Sequence, residues 1–376
     1  MGSATGTIGR STSLPLVDSP LGRTIATTAT DVWNDSCSVP ELEYAVSYGA
    51  VGATANPTIV ADVWKAEPAY WRDRVRAIAA ERGDATEIDL AWAIVEEMSM
   101  RAAPLLLPAF EATGGRQGRL SMQTDPTLFR SYDRMLAQGE HFAGLAPNII
   151  VKFPATSVGV RVMEEATYRG VNVNATVSFT VSQALAAGEA VERGLRRREA
   201  EGLRVDDMGP VITVMMGRLE DWLRVLVERD GVISDPAALP WSGVAVFKRT
   251  VEEFERRGLR ARPLAAAIRH QLHWSELIGG DVIITMPSSW QKRFNASDVE
   301  VRPRMAEPVD PGVLDDLRRH FPDFVRAIEP DGLTPDAFDT FGPSARTLRA
   351  FIGSYHELLH QVGDALVPNP DVKPSA

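Results

Sequence analysis

Short apolar runs alternate along this chain with longer segments whose apolar residues recur at helical spacing. This alternation predicts strands joined by crossover helices, and therefore a parallel sheet. The clearest helical patterns cover residues 64–82, 88–103, 181–201, 219–228 and 251–257. The predicted strands are eight short runs, at 28–35, 49–56, 118–125, 148–155, 171–178, 209–217, 243–249 and 279–287.

Eight strand–helix units fit a closed (β/α)8 barrel of the TIM type. The alternative, a doubly wound open sheet, usually carries a Gly-rich phosphate turn after its first strand, and the sequence has none there. Apolar residues from Leu348 to Leu366 recur at helical spacing and predict a final amphipathic helix. We therefore predict one barrel (26–295), a C-terminal helical extension packed on it (296–368) that opens with loops and short helices, and flexible tails at 1–25 and 369–376.

Composition narrows the class of partner. The net charge of −10 disfavours a nucleic-acid partner. No apolar run approaches the ~20 residues needed to span a bilayer, and the Gly/Ser/Thr-rich start lacks the apolar core of a signal peptide. Cys37 is the only cysteine, so no disulfide can form within the chain. These features predict a cytoplasmic protein with no membrane partner.

Polar residues cluster at the carboxyl ends of the predicted strands, which form the mouth of such a barrel and hold its chemistry. Each also has a structural interpretation: Asp35 and Asn56 suit turn caps, Thr176 and Thr213 suit strands by propensity, and Lys152 suits an ion pair at the rim. A set spread over all the strands favours a functional site more strongly than any one member does. The set comprises Asp35, Asn56, Gln123, Asp125, Lys152, Asn174, Thr176, Thr213, Arg218, Lys248, Arg249, Ser288 and Ser289.

Lys152 lies within the apolar run "NIIVKFPAT" (148–156). Burial disfavours an ammonium ion and lowers its pKa, and a free amine near neutral pH is a nucleophile toward carbonyls. The iminium ion that follows is an electron sink, so a neighbouring C–C bond can break or form. Such a reaction also needs a carboxylate to move a proton, a held water, and cations if the substrate carries a phosphate.

From about residue 35 to 287 the chain resembles the transaldolase family. "ATANPTIV" (53–60) resembles the family's Thr-Asn-Pro-Ser/Thr-Ile signature, and "IVKFPAT" (150–156) resembles its Schiff-base lysine segment. "VNVNATVSFTVSQALAA" (171–187) and "MMGRLEDW" (215–222) resemble the strand–helix segment and the Gly-Arg segment that follow. The resemblance implies a class I aldolase-type (β/α)8 barrel that needs no metal or other cofactor.

The resemblance also implies roles for the polar set and a sugar or sugar-phosphate substrate. Barrels of this type often assemble into homo-oligomers, and the sequence leaves the oligomeric state open. The implied roles are Lys152 as the Schiff-base amine, Asp35 as the acid/base, Gln123 and Thr176 as holders of a water, Asn56 and Asn174 as ligands of substrate hydroxyls, Arg218 and Lys248 as phosphate ligands, and Thr213 as a substrate ligand where a Ser is usual.

Departures from the family pattern keep two reactions open. Gln123 stands where transaldolases carry a catalytic glutamate and the related fructose-6-phosphate aldolases carry a glutamine. Met215 replaces a Phe or Tyr, and Lys248 stands where an Arg is usual. The expected reaction is transfer of a dihydroxyacetone unit from a ketose to an aldose; the alternative is an aldolase that releases free dihydroxyacetone.

Three further interpretations compete with a catalytic barrel: loss of turnover, a metal site and a reactive cysteine. A barrel that lost turnover would bind sugar phosphates only, but retention of Lys152 together with Asp35 argues against it. His270 with His273, and His356 with His360, have spacings that can ligate zinc, yet neither pair has a neighbouring carboxylate motif. We interpret these histidines as surface or packing residues, and Cys37 as a buried bystander.

Overall fold

The computed structural model describes residues 17–367 and 369–371. Its strands close into one barrel in which each strand pairs with its sequence neighbours, and β1 pairs with β8. All pairings are parallel, which confirms the predicted (β/α)8 fold. The strands are β1 Asp31–Asn34, β2 Gly52–Thr54, β3 Arg119–Gln123, β4 Ile149–Pro154, β5 Val173–Thr176, β6 Val211–Val214, β7 Arg262–Ala265 and β8 Ile283–Met286.

Helices surround the barrel and continue beyond it. Three short 3-10 segments cover Ala103–Leu106, Pro126–Leu128 and Pro335–Ala337. The α-helices are α1 Pro20–Thr27, α2 Val39–Ser47, α3 Pro57–Ala66, α4 Pro68–Glu81, α5 Glu87–Ala102, α6 Leu107–Ala112, α7 Tyr132–Ala143, α8 Ser157–Tyr168, α9 Val181–Ala200, α10 Met216–Asp230, α11 Trp241–Arg257, α12 Leu272–Ser275, α13 Ser288–Asn295, α14 Pro311–His320, α15 Pro322–Ile328 and α16 Gly342–Leu366. None of these helices combines the length and apolar content that crossing a bilayer requires.

Strand alternation decides which side chains enter the barrel. Phe153 points outward onto α7, where a Cβ on Gly139 would lie 2.4 Å from its ring. Its neighbour Lys152 therefore points inward. Inside the barrel the Trp33 indole fills the space beside β2, and a Cβ on Gly52 would lie 2.3 Å from that ring. The interior is thus a packed core below a polar mouth.

Side-chain caps begin several helices directly after a strand. Asn56 accepts hydrogen bonds from the backbone N–H groups of Thr58 and Ile59 at the start of α3. Thr156 and Thr180 cap α8 and α9 in the same way. These caps satisfy helix N–H groups that have no partner within the helix, and they fix short, well-defined loops around the mouth.

One predicted strand is wrong. Residues 243–249 lie within α11, and the seventh strand is Arg262–Ala265. The run "GVAVF" resembles a strand because nearly every side chain is buried there, but Val244, Phe247, Val251 and Phe254 recur at three- and four-residue spacing, which is a helical period. The four-residue sequence "RPLA" of β7 is too short to be recognised as a strand beside the more apolar run of α11.

Part of the predicted N-terminal tail is helical. Residues 20–25, assigned to a flexible tail, belong to α1, where Leu21 and Ile25 are buried. The Ser19 hydroxyl caps this helix by accepting from Gly22 N–H at 3.1 Å. The rest of that predicted tail, 1–16, and residues 372–376 of the C-terminal one lie outside the described residues.

The C-terminal extension ends in α16, which lies across the mouth. The Thr58 and Ser354 hydroxyls are 2.9 Å apart, which joins α16 to the helix after β2. Tyr355 accepts from the Trp92 indole at 3.2 Å, and Phe351 packs 5.3 Å from the Arg218 guanidinium after β6. Because these elements surround the carboxyl ends of the strands, α16 forms a cover for that face.

Candidate active site

Lys152 lies at the centre of a polar row across three neighbouring strands. Its Cα pairs with that of Gln123 on β3 and that of Asn174 on β5. Residues in register on parallel strands point to the same face, so all three side chains enter the barrel mouth. Lys152 is only 3% exposed, and its Nζ makes no hydrogen bond or ion pair within the described residues.

The environment of Lys152 favours the free amine. Burial lowers its pKa from 10.5 to about 8; the Asp35 carboxylate opposes this effect, and the Arg218 guanidinium adds to it. At pH 7 roughly a tenth of the lysines are therefore unprotonated, compared with fewer than about one in a thousand at a pKa of 10.5. Its amine is therefore a better nucleophile near neutral pH than that of an exposed lysine, and the Asp35 carboxylate lies close enough to affect its pKa.

Two threonines that the sequence analysis missed lie beside Asp35; the first binds its carboxylate and the second contacts the first. The Thr54 hydroxyl donates to Asp35 Oδ1 at 2.5 Å, and Thr285 Oγ1 lies 3.1 Å from Thr54 Oγ1. Both threonines sit at strand ends and point inward, which is the signal that would have identified them. The backbone N–H of Asp35 also donates to Met286 O at 2.9 Å. The carboxylate is fixed at the mouth rather than used as a helix cap.

Gln123 and Thr176 have different surroundings. The Oε1 atom of Gln123 is buried and has no hydrogen-bond partner within the described residues. An unpaired buried acceptor of this kind is a suitable place for a water or a substrate hydroxyl. The Thr176 hydroxyl instead contacts the thioether of Met215 at 3.8 Å, a weak interaction that a water can replace.

Asn174 and Thr213 form a buried network. The Asn174 amide donates to Ser121 Oγ at 3.0 Å and accepts from Thr213 Oγ1 at 2.7 Å. The donor of Thr213 is therefore used to orient Asn174. Asn56 caps α3 with its carbonyl oxygen, as its structural interpretation anticipated, and its amide NH2 makes no hydrogen bond within the described part of the chain.

Arg218 lies on a side of the mouth that carries positive charge. It lies in the first turn of α10, and its guanidinium makes no hydrogen bond or ion pair within the described residues. Burial lowers its pKa, and the positive charge of Arg269 lowers it further. Arg269 follows β7 and pairs with Asp221 at 2.7 Å. The misplaced seventh strand hid Arg269 from the sequence analysis.

Lys248 does not belong to this group. It lies on α11, and its Nζ donates to the backbone carbonyls of Arg304 at 2.9 Å and Glu307 at 2.7 Å. The groove around it includes Gly280 and Asp281, which precede β8. Lys248 therefore lies at the amino-terminal end of the barrel, opposite the mouth, and the expectation that it meets a substrate phosphate beside Arg218 is wrong.

The remaining candidates are the buried Cys37 and two histidines at the rim of the mouth. Burial raises the pKa of the Cys37 thiol to about 12, which keeps it protonated. His270 and His273, predicted to be surface or packing residues, lie against Glu220 on the rim. Burial raises the pKa of Glu220, but hydrogen bonds from His270 and Arg224 outweigh that effect and lower it to about 2. Glu220 is therefore a carboxylate.

Comparison with known proteins places the chain in a family. A sequence model of the family "Transaldolase/Fructose-6-phosphate aldolase" matches residues 32–330, which cover all eight strands except Asp31, the first residue of β1. The chain belongs to this family. The resemblance that the four motifs carried is thereby confirmed for the fold and for membership of the transaldolase/fructose-6-phosphate aldolase family.

Curated relatives in this family are named transaldolases. Transaldolase 1 of Streptomyces avermitilis is 28% identical over 226 residues, 59% of this chain and 59% of its own length. The transaldolase of Thermobifida fusca is 30% identical over 203 residues, 50% and 53% of the two chains. That of Frankia alni is 25% identical over 291 residues, 70% and 78%. The match to the first of these spans less than two thirds of the relative's length.

Proposed function

We propose that this chain is a Schiff-base transaldolase that transfers a dihydroxyacetone unit from a ketose, or ketose phosphate, to an aldose. The observation that carries the proposal is the Lys152 amine: buried at the barrel mouth, without a hydrogen-bond partner within the described residues, and with its pKa lowered to about 8. Membership of the transaldolase/fructose-6-phosphate aldolase family supports the same reaction.

The first half of the reaction cleaves the donor. Lys152 Nζ attacks the ketose carbonyl carbon, and the carbonyl oxygen leaves as water to give an iminium ion. Asp35 takes the proton of the hydroxyl on the far side of the scissile C–C bond. That bond breaks, its electrons pass into the iminium to form an enamine, and an aldehyde departs. The buried network through Asn174 orients substrate hydroxyls on this face.

The second half decides between transfer and release. In transfer, the enamine carbon attacks the carbonyl carbon of an acceptor aldehyde, whose oxygen takes the proton from Asp35. Water then adds to the iminium and frees Lys152. In release, a proton adds to the enamine carbon instead, and hydrolysis yields dihydroxyacetone. Gln123 presents a neutral acceptor to the water in either case, because an amide can hold a water but cannot remove its proton.

Borohydride trapping tests the proposal. A ketose incubated with the protein and borohydride is expected to leave one stable mass adduct, located on Lys152 by peptide mapping. Lys152→Ala should abolish both the adduct and turnover. Lys65→Ala, on an exposed face of α3, is the matched control and should retain both. Tight ketose binding without any adduct would instead support a sugar-binding barrel that has no turnover.

A second candidate, a fructose-6-phosphate-aldolase-like enzyme, is favoured by Gln123 alone. An aldolase releases dihydroxyacetone without an acceptor, whereas a transaldolase needs glyceraldehyde 3-phosphate or a similar aldehyde to turn over. Gln123→Glu is predicted to raise the ratio of transfer to release by about tenfold, because a carboxylate can take the proton of the held water. Coupled assays with and without acceptor measure this ratio, and an unchanged ratio would contradict the role given to Gln123.

A further inference from the structure

Three metal-ligating side chains converge on the rim, beside the reaction site that the proposed function uses. Glu220 comes from the first turns of α10, and His270 and His273 come from the chain after β7. Glu220 Oε2 lies 2.9 Å from His270 Nε2 and 3.7 Å from His273 Nε2. The donor atoms of all three residues lie within 4.8 Å of one another.

These spacings suit a tetrahedral metal ion. Zinc binds imidazole nitrogen and carboxylate oxygen at about 2.0–2.2 Å, which separates two ligands of a tetrahedron by roughly 3.3–3.6 Å. The two measured distances lie on either side of that range, so small side-chain adjustments would complete the geometry. Three protein ligands leave a fourth position for water or another oxygen ligand.

Burial also points to a ligand. His273 is fully buried and Glu220 is 2% exposed. His273 Nε2 has no hydrogen-bond partner at normal distance and angle within the described residues, although the Pro240 backbone carbonyl also interacts with the ring. A buried polar nitrogen that lacks a well-formed hydrogen bond destabilises the fold, and an ion bound to that nitrogen would satisfy it. The nitrogen is directed toward Glu220, the residue that the ion would share.

The surroundings both support and limit metal binding. Glu220 Oε1 accepts from Arg224 at 2.6 and 3.2 Å, a second contact that fixes the carboxylate and leaves Oε2 for a metal. His273 Nδ1 accepts from Arg269 N–H at 3.3 Å, and coordination through Nε2 moves the proton to Nδ1 and breaks that contact. The two nearby arginines also repel a cation, so the affinity should fall below that of a structural four-ligand zinc site.

We propose that Glu220, His270 and His273 form a binding site for one divalent transition-metal ion, with Zn²⁺ as the best-fitting example. Two imidazoles and one carboxylate select this class over Mg²⁺ and Ca²⁺, which take oxygen ligands. The ion connects the chain after β7 to α10. It thereby fixes the positions of Arg218 and Arg269, while the Schiff-base chemistry at Lys152 proceeds without it.

Metal titration of the untagged full chain tests the proposal. The protein is stripped with EDTA, dialysed against Zn²⁺ or Co²⁺, and analysed for bound metal. One ion per chain is expected, with the intense visible absorption of four-coordinate Co²⁺. His270→Gln should weaken binding at least tenfold, and Zn²⁺ should raise the Tm of the wild type but not of this variant.

A matched control separates this site from adventitious surface binding. His356 and His360 are both exposed and lie one turn apart on α16. The double variant His356→Gln/His360→Gln should keep the wild-type affinity and stoichiometry. Loss of binding in this double variant, or binding in the wild type no tighter than in His270→Gln, would overturn the proposal. Borohydride trapping at Lys152 serves as the test that each variant is folded.

Discussion

The charge state of Lys152 reflects a balance between burial and two charged neighbours. Burial lowers its pKa to about 8, Asp35 raises it, and Arg218 lowers it. Because burial is the largest effect, the lysine acquires nucleophilic character mainly from its place inside the barrel. The two charged residues shift this pKa in opposite directions, since Asp35 raises it and Arg218 lowers it.

The directions of these two pKa shifts can be measured from the pH dependence of borohydride trapping. The rate of borohydride adduct formation in the wild type should rise about tenfold per pH unit below 7 and level off above about 8, where the free amine predominates. Asp35→Asn removes the charge that raises the pKa and should move the curve to lower pH. Arg218→Met should move it to higher pH. Identical curves for all three proteins would contradict this electrostatic account.

Arg218 and Lys248 make a matched pair of cations for testing phosphate recognition. Arg218→Met should raise KM for a phosphorylated ketose by about 10- to 100-fold, because a charge-assisted hydrogen bond contributes about 1.5–3 kcal/mol. Lys248→Met, at the opposite end of the barrel, should leave that KM unchanged. The comparison uses steady-state kinetics with phosphorylated and unphosphorylated ketoses, and equal effects of the two changes would contradict the assignment.

At the scale of elements, α10 and the chain after β7 pack so closely that neither has space to move toward the other. A Cβ on Gly217 would lie 1.9 Å from Ala267 O and 2.7 Å from Arg269 Cγ. Ala267 itself has a φ of 64°, a left-handed conformation that is uncommon outside glycine. Close packing against Gly217 and an unusual backbone angle at Ala267 together determine where Arg269 emerges.

Gly217→Ala should therefore disturb the cationic side of the mouth. The added methyl has to displace the Ala267 carbonyl, which should lower the free energy of unfolding by about 1–3 kcal/mol and raise KM for a phosphorylated ketose. Gly353→Ala, on α16 with no atom within 4 Å of the new Cβ, should instead stabilise the protein by roughly 0.5–1 kcal/mol. Urea unfolding measures both, and equal effects would contradict the steric argument.

The same elements show what the sequence could predict. Lys152, Gln123 and Asn174 follow from the family motifs together with the alternation of side chains within each apolar run, which decides which residues face the barrel interior. Arg269 could not be predicted, since β7 is a four-residue strand and the helix before it is apolar enough to resemble one. Glu220 and the histidines are brought together only by the packing of α10 against the chain after β7.

At the scale of the molecule, α16 connects the C-terminal extension to the mouth of the barrel. Ser344 accepts from Gln183 Nε2 at 3.1 Å, and Gln183 also donates to the carbonyls of Ala155 and Val177. These loops follow β4 and β5, the strands of Lys152 and Asn174. The buried Gln183 amide therefore links α16 to the loops after the strands that carry the proposed chemistry. The position of α16 consequently affects the whole site.

Burial of the ionisable Lys152 amine should also lower the free energy of unfolding of the whole protein. In the folded chain Lys152 loses its proton at about 8, whereas the unfolded lysine retains it to 10.5. Between these values the unfolded state binds more protons, so stability rises with pH across that window. The cost is fully present below about pH 8, where it is on the order of 3 kcal/mol, and it disappears as the pH approaches 10.5.

Lys152→Met should therefore be more stable than the wild type at pH 7, and its advantage should shrink steadily from pH 8 to 10.5. Methionine fills a similar volume without a charge, so packing is largely kept. Urea unfolding at several pH values measures the difference, with Lys65→Met as the control for loss of an exposed lysine. A difference that stays constant with pH, or grows, would mean that the amine is not held uncharged by burial, and the nucleophile would need another explanation.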